Sequence, residues 1–380
     1  MLHDAAVTLR RPDMSGSLVT GPAAVASTGL SDRDDIARSR LLLVLFLLAI
    51  GVYVVCWKVD FGLIRNLESR DFAIFWIAGK AAIGAPSLVY DPAAIAPAWL
   101  SQLEPAHGSL VHPPHFLLLA APFGMLPLLP AYLLWNALSA VIFAWAARPY
   151  MRQLPSIFAV ITPAGCLSLM FGQTGLLFGA LWLLAFRRHG WAVGLLSLKP
   201  QVGFLTIFTL DRRRFLIAVL TLLAALALTF ILFPQAMTGF ARSIMAQASR
   251  LGSDEIPMWY FVMVTPLQGY GIAGWAIFAG AAIVLLWRRF DVFTAATATF
   301  LIAPYGIHYD MTVACLGMGL AMLHERRPWA LAALTFGFLT PCIVMLGTWF
   351  APPLLLATLL AQVTAERSPA TASGDGPAGN

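Results

Sequence analysis

The stretch Glu68-Ser-Arg-Asp-Phe-Ala-Ile-Phe-Trp-Ile-Ala-Gly-Lys80 is the first place in the chain where charged residues stand beside aromatic ones. It follows the first strongly apolar segment, and most of the sequence after it is apolar with few charges. Residues 72–83 have the pattern of an amphipathic helix that lies on a membrane interface. Asp71, directly before that helix, is therefore the first carboxylate that we expect to take part in chemistry.

The composition excludes an ordinary soluble globule. Of the 380 residues, 59% are hydrophobic and only 11% are charged, and the mean hydropathy is +0.79. A soluble domain carries about 25% charged residues, so this chain lacks the residues for a polar coat. Backbone in lipid must satisfy its own hydrogen bonds, and the apolar runs do not alternate as barrel strands do. We therefore predict an all-α polytopic membrane protein with about 11–12 transmembrane helices.

Cysteines, histidines and net charge give little sign of a metal or of nucleic acid. Four cysteines lie apart inside apolar runs, without the spacing of a metal site or a disulfide framework. His112-Pro-Pro-His115 offers two histidines but no third ligand. The net charge of +6 comes from basic residues in short connections, which suits cytoplasmic loops rather than a nucleic-acid surface.

The polar ends and the first long connection set the domain limits. Residues 1–35 are predicted to be a disordered cytoplasmic tail, and residues 366–380 a second disordered tail. Residues 36–365 are predicted to form one transmembrane domain. Its first span, at 41–57, follows Arg38 and Arg40 and so enters from the cytoplasm.

Residues 58–130 are predicted to form an outer-face catalytic loop with interfacial helices. Asp91-Pro92 opens a second short helix at 93–103, and the prolines of the His112–His115 motif interrupt helical structure. The apolar stretch 116–129 either spans the membrane or lies partly embedded on its outer side.

Paired arginines divide the remaining sequence, and the positive-inside rule places them all on the cytoplasmic side. The clusters are Arg148/Arg152, Arg187/Arg188, Arg212/Arg213/Arg214, Arg288/Arg289 and Arg326/Arg327. The intervals between them then form hairpins with outer turns at 171–175, 198–201, 234–268 and 305–310. The hairpin around Lys199-Pro200 is short for two crossings, which favours half-length helices broken at that point.

The polar residues that interrupt the apolar runs all fall on the outer side in this arrangement. They are Asp71, His112, Gln173, Lys199, Gln201, His308 and Asp310. Ionisable groups at membrane depth are costly, so they usually have a partner or a function. A lysine beside a histidine suits a lipid phosphate, and a nearby carboxylate suits a base. The layout favours an enzyme that takes a group from a phospholipid carrier on the outer face.

These motifs, in this order, resemble those of glycosyltransferase family 87, whose members share the GT-C membrane fold. The matching pieces are Asp71-Phe-Ala-Ile-Phe-Trp with Gly84, Val89-Tyr90-Asp91-Pro92, His112-Pro-Pro, Phe171-Gly-Gln-Thr-Gly, Leu198-Lys-Pro-Gln and, more weakly, His308-Tyr-Asp. The family's usual Asn after Gly-Gln-x is replaced by Gly175, so no role is assigned to that position.

The resemblance implies an inverting transfer of a hexose, with mannose as the first candidate, from a polyprenyl-phosphate sugar to a lipid or glycan acceptor. It implies that Asp71 is the general base. The departing phosphate needs its charge held, for which Lys199 is the candidate, and His308 is the candidate for a second hydrogen bond to that phosphate. Candidate substrate-binding residues are Tyr90, Asp91, His112, Gln173, Gln201 and Asp310. No cofactor, metal or nucleic acid is implied, and the partners are the donor, the acceptor and membrane lipids. The active site is expected on the periplasmic or extracellular side of the cytoplasmic membrane, with the N-terminus in the cytoplasm and acceptor choice in the loop 234–268.

Each assignment has a structural alternative. Asp71 is also well placed to cap the following helix, and Lys199 to reach lipid headgroups. His308 also fits an interhelical contact, Asp310 a pair with His308 or Lys199, and the two glutamines hydrogen bonds between helices.

Two other functions remain open at this point. One is a lipid or small-molecule transporter or flippase without glycosyl transfer, and the other is an inactive homologue that serves as a partner subunit. A transporter often shows paired repeats with corresponding broken segments, and no convincing repeat is visible here.

Overall fold

The computed structural model describes residues 71–91, 110, 112–151, 154–250, 263–344 and 347–365, without the side chains of 244 and 246–250. Both predicted tails, the first span at 41–57 and the helix at 93–103 lie outside these residues. So does the central part of the predicted second outer loop, 251–262.

Regular structure in the described ranges is helical, apart from one isolated antiparallel bridge between Met263 and Ile307. This confirms the all-α prediction. Numbered along the described residues, the α-helices are α1 Asp71–Gly84, α2 Leu117–Gly124, α3 Leu128–Ala147, α4 Pro163–Phe171, α5 Gly175–Phe186, α6 Gly190–Leu195, α7 Pro200–Gly203, α8 Arg212–Leu232, α9 Pro234–Arg250, α10 Pro266–Arg288, α11 Val292–Ile302, α12 Thr312–Met322, α13 Pro328–Ile343 and α14 Ala351–Thr364.

Three of the described helices are long and apolar enough to cross a membrane, by length and composition alone. They cover Leu128–Tyr150, Arg212–Leu232 and Pro266–Arg288. Large apolar side chains on them are exposed, such as Ile231 at 72% and Trp287 at 88%. Such outward faces suit a hydrocarbon solvent, because water would penalise them.

Shorter apolar helices form the interior. The helices α5, α11 and α12 have 11 or 12 residues each and are buried on nearly all sides. A helix of 11 residues is about 16 Å long, roughly half the thickness of a hydrocarbon core. A helix that is apolar all round belongs inside a protein. Of the long helices, α3 packs against α5 and α10 packs against α11, whereas α8 packs against the short helix α6.

The helix predicted at 72–83 is confirmed as α1, which begins at Asp71. Its predicted amphipathic character is wrong, because apolar residues lie on all its sides and only Asp71 and Lys80 are charged. Phe72, Phe75, Ala78 and Ala82 form its buried face, whereas Lys80 is exposed. The stretch predicted at 116–129 includes α2, which packs closely against α1. Trp76 Nε1 also donates a hydrogen bond of 2.8 Å to Leu126 O, just after α2.

Glycine permits the close approach of α1 and α2. A Cβ atom on Gly79 would lie 2.2 Å from Ala120 O, and one on Gly124 would lie 2.2 Å from Lys80 N. Both contacts are with backbone, which cannot rotate away as a side chain does. The position of α1, and hence of Asp71, therefore depends on these two small residues.

Substituting Gly79 with Ala is expected to destabilise the protein by about 1–3 kcal/mol, because α1 must move away from α2. Gly84→Ala, on the same helix, is the matched control, because its Cβ would meet nothing within 4 Å. Thermal unfolding of the two purified variants in the same lipid measures the difference. Equal melting temperatures would contradict close backbone packing at Gly79.

The segment predicted to break at Lys199-Pro200 does so. The short helix α6 is followed by the 3-10 turn Leu196–Leu198. Helical geometry then ends at Lys199, whose φ of −145° is extended. The four-residue α7 and the 3-10 helix Phe204–Thr209 follow. Lys199 thus sits at an interruption between half-length helices.

The predicted outer loop 234–268 begins with a helix of 17 residues, α9. Phe233 departs from helical geometry, and Pro234 then starts the new helix at a position that suits proline. Ala236 and Gly239 lie on its buried side, and the Phe240 ring centroid lies 5.3 Å from that of Tyr90. This polar segment therefore forms an amphipathic helix that packs beside Tyr90.

Candidate active site

Asp71 and Gln173 are joined across 102 residues of sequence. Asp71 is the first residue of α1 and is half-buried, and its Oδ2 accepts a hydrogen bond of 2.6 Å from Gln173 Nε2. Gln173 lies in the short turn between α4 and α5. The preceding Gly172 has a φ of +64°, which favours glycine, and a Cβ there would lie 2.6 Å from Phe72 Cβ. The turn and the start of α1 are therefore in direct contact.

Residues of α3 and α4 fix this turn. Tyr132 OH donates to Leu169 O at 2.7 Å, and Asn136 Nδ2 donates to the same oxygen at 3.0 Å. Ser168 Oγ donates to Gln173 O at 3.2 Å and accepts from Leu176 N at 3.3 Å. Because the backbone around Gln173 is held in this way, its side-chain amide presents a fixed donor to Asp71.

Lys199 and Asp310 form a buried ion pair. Lys199 Nζ lies 2.7 Å from Asp310 Oδ1, and the two side chains are 6% and 1% exposed. The ammonium also lies 5.4 Å from the ring centroid of Tyr309, a distance that allows a cation–π interaction. The second carboxylate oxygen of Asp310 has no hydrogen-bond partner in the described part of the chain.

The two pairs share one electrostatic environment. Burial raises the pKa of Asp71, and the hydrogen bond from Gln173 and the charge of Lys199 oppose that rise. Burial likewise raises the pKa of Asp310, against the effect of the Lys199 ammonium. Two carboxylates, of which Asp71 is half-buried and Asp310 buried, therefore lie within range of one ammonium.

His308 is buried in the turn that carries Asp310. Its ring centroid lies 5.2 Å from that of Tyr309 and 6.3 Å from that of Phe171. The turn is anchored by the bridge between Met263 and Ile307. The predicted outer turns at 171–175, 198–201 and 305–310 thus meet in space.

Tyr90 and His112 form the other side of this region. Tyr90 OH donates a hydrogen bond of 2.9 Å to His112 O, and the His112 ring stacks on Phe116 with centroids 4.3 Å apart. Asp91 is exposed and Gln201 is half-buried on α7, and no described contact joins either residue to Asp71 or Lys199. Among the residues that the structure describes, no group of three or more His, Cys, Asp or Glu is placed to hold a metal ion.

Tyr305 and Tyr309 were not identified from the sequence. Burial and the nearby Asp310 and Asp71 carboxylates raise the pKa of the Tyr305 phenol, so that side chain lies within electrostatic range of both acids. The available signal was their position beside His308 and Asp310 in one short turn, but tyrosines near apolar helices are common interfacial residues.

Comparison with known proteins identifies the family. The model of glycosyltransferase family 87 matches residues 110–305, just over half of the chain. The match contains His112, Gln173 and Lys199, whereas Asp71 and Asp310 lie outside it. No curated protein and no solved structure matches the chain. The chain belongs to glycosyltransferase family 87.

Proposed function

We propose that this glycosyltransferase moves a hexose, with mannose as the first candidate, from a polyprenyl-phosphate sugar to a lipid or glycan acceptor, with inversion at the anomeric carbon. The observation that carries the proposal is the meeting of Asp71, Gln173, Lys199 and Asp310 where polar turns interrupt apolar helices. A carboxylate base and a cation for a phosphate are the two groups that this reaction needs.

Asp71 is the general base. The acceptor hydroxyl attacks the anomeric carbon while its proton passes to the Asp71 carboxylate, as the bond from that carbon to the phosphate oxygen breaks. The hydrogen bond from Gln173 Nε2 orients the carboxylate for this transfer. A single displacement of this kind inverts the anomeric configuration.

Lys199 stabilises the departing polyprenyl phosphate, which leaves with the bonding electrons and gains negative charge. A preorganised cation aimed at developing charge is among the strongest contributions to catalysis. Before the donor binds, Asp310 keeps the ammonium in place at 2.7 Å. His308, in the same turn as Asp310, donates a second hydrogen bond to the phosphate in this proposal.

A polytopic arrangement with the site on the outer face is supported by the helix ends. The helix α5 runs from Gly175, beside Gln173, to Phe186, which precedes Arg187 and Arg188. A Cβ on Gly190 would lie 2.5 Å from Arg214 O, so the arginine-rich ends of α5 and α8 lie together. They are separated from Gln173 by the length of α5, about 18 Å. The positive-inside rule then places the arginines on the cytoplasmic side of the membrane and the catalytic turns on the opposite side.

The finer topology also belongs to this proposal. It comprises a single domain over 36–365 with about 11–12 spans, a cytoplasmic N-terminus and a site that opens to the periplasmic or extracellular side of the cytoplasmic membrane.

Donor class tests the proposal. Purified protein in a native lipid extract is expected to transfer radiolabelled hexose from a polyprenyl-phosphate hexose, and not from the corresponding nucleotide sugar. The two donors are compared in parallel reactions. All lipid carriers are extracted before the reaction with the nucleotide sugar. Equal transfer from the nucleotide sugar in the carrier-free reaction would contradict the proposed donor.

Replacing Gln173 with Leu is expected to move the acid limb of the pH profile of kcat/KM to higher pH. The Gln173 amide stabilises the ionised form of Asp71, so its loss raises the pKa of Asp71 further. Asp71 acts as a base only when it is deprotonated. As the pH is lowered, the variant therefore loses activity at a higher pH than the wild type does. Gln235→Leu, at an exposed position on α9, is the control with an unchanged profile. Identical profiles for Gln173→Leu and wild type would rule out the positioning role.

A further inference from the structure

His112 is a buried polar side chain whose ring nitrogens are both unpaired. The residue is 6% exposed, and neither Nδ1 nor Nε2 has a hydrogen-bond partner among the described residues. Native proteins pair nearly all their buried polar atoms, because an unpaired one loses its hydration without compensation. The ring is therefore suited to bind the polar groups of a ligand.

The position of the His112 ring relates it to both Asp71 and Lys199. Its centroid lies 5.2 Å from that of Phe75, which is one helical turn after Asp71 on α1. Residues four apart on a helix lie on the same face. The charge of Lys199 also lowers the pKa of His112, so the imidazole lies within electrostatic range of that ammonium.

The ring is held rigidly. Phe116 stacks on it with centroids 4.3 Å apart, and Phe75 packs edge-on at an interplanar angle of 89°. Tyr90 OH holds the backbone carbonyl at 2.9 Å, and Pro113 and Pro114 follow directly. A side chain fixed in this way presents its nitrogens in one geometry, as a specificity contact requires.

We propose that the imidazole of His112 binds a hydroxyl group of the transferred hexose and makes the enzyme selective for that hydroxyl. This assignment rests on the proposed function and adds a specificity-determining contact to it. A neutral imidazole has one N–H donor and one acceptor nitrogen, and a hydroxyl both donates and accepts. Phosphate oxygens only accept, so a phosphate would leave the acceptor nitrogen unpaired.

The neutral state of the ring supports a sugar contact over a phosphate contact. Burial, followed by the charge of Lys199, holds the pKa of His112 well below its usual range. A neutral ring beside a lysine does not compete for the donor phosphate. The neutral ring discriminates between sugars with and without the bound hydroxyl, because a site built to bind a hydroxyl rejects the analogue that lacks it.

The test measures each enzyme variant with each monodeoxy donor. Wild type, His112→Phe and His112→Gln are assayed for kcat/KM with the intact polyprenyl-phosphate hexose and with each monodeoxy form. In the wild type, one deoxy donor is expected to react on the order of 10- to 100-fold more slowly than the intact donor. His112→Phe should show a similar loss with the intact donor and no further loss with that one deoxy donor. His112→Gln, which keeps a donor and an acceptor, should retain part of the discrimination.

His115→Phe is the matched control, because His115 is equally buried in the same motif but its Nε2 lies 3.1 Å from Ser197 Oγ. It should discriminate among the deoxy donors as the wild type does. Unchanged discrimination in His112→Phe would overturn the proposal. So would weaker binding of sugar-free polyprenyl phosphate to His112→Phe, which would assign the ring to the phosphate.

If thermal unfolding shows that His112→Phe does not fold, His112→Gln decides, and a discrimination profile identical to wild type overturns the assignment. Failure of the proposed function has a different outcome, since the wild type would then transfer from no polyprenyl-phosphate hexose and both proposals would fall.

Discussion

Asp71→Asn is expected to lower kcat by about 10²- to 10⁴-fold, the range that a positioned general base contributes. The amide has the shape of the carboxylate and keeps an oxygen that accepts from Gln173, 2.6 Å away in the wild type, so the fold is expected to persist. It has no basic site for the acceptor proton. Steady-state transfer assays and thermal unfolding measured together separate lost chemistry from lost structure.

The wild-type pH profile tests the same assignment. Because burial raises the pKa of Asp71, the acid limb of kcat/KM is expected above the range of an ordinary carboxyl group. Asp211→Asn, at the exposed start of α8, is the matched control and should leave the profile unchanged. If Asp71→Asn transferred sugar at the wild-type rate, Asp71 would be a helix-start residue only, and Asp310 or Asp91 would be the next candidate base.

Lys199→Met is expected to lower kcat by about 10²- to 10³-fold, because the departing phosphate loses the cation that balances its charge. It is also expected to destabilise the protein by about 3–5 kcal/mol, because Asp310 is then left buried without its ammonium. These two effects have different causes and are separable by a second substitution.

The double variant Lys199→Met with Asp310→Asn separates the effect on activity from the effect on stability. It removes the uncompensated charge, so its melting temperature is expected to recover towards that of the wild type, whereas its activity is expected to remain low. Asp310→Asn alone keeps the ammonium and is expected to retain more activity than Lys199→Met. Recovery of activity in the double variant would mean that the Lys199–Asp310 pair is structural only.

Local features of the site were predictable from the sequence. The helix that starts at Asp71 follows from a carboxylate before an apolar run, and the turn at Gln173 follows from its place midway between two arginine clusters. The interruption at Lys199 follows from the proline after it. Each of these features depends on a few neighbouring residues, which the sequence displays directly.

Partnerships between distant turns were not predictable in the same way. Gln173 reaches Asp71 across 102 residues, and Lys199 reaches Asp310 across 111. Sequence left Asp310 with two candidate partners and Gln173 as a general hydrogen-bonding residue. Helices that are apolar on all sides carry no periodic signal of which neighbour each one faces, so these pairings emerge only from packing.

Helix lengths were also obscured by composition. Arginine pairs mark the ends of apolar runs, but they do not indicate whether a run is one long helix or two short ones. The segment at 234–250 shows the opposite problem, since its polar residues suggested a loop where α9 forms. In both cases tertiary contacts decide the length.

The central claim is tested most directly by transfer of radiolabelled hexose from a panel of polyprenyl-phosphate sugars, with wild type and Asp71→Asn assayed side by side in native lipid extract and binding of the carrier lipid measured for both. We expect the wild type to label a lipid or glycan from one donor, and Asp71→Asn to bind the carrier without labelling. Carrier binding by both proteins without labelling from any donor would contradict the account, and would favour a lipid transporter or an inactive homologue instead.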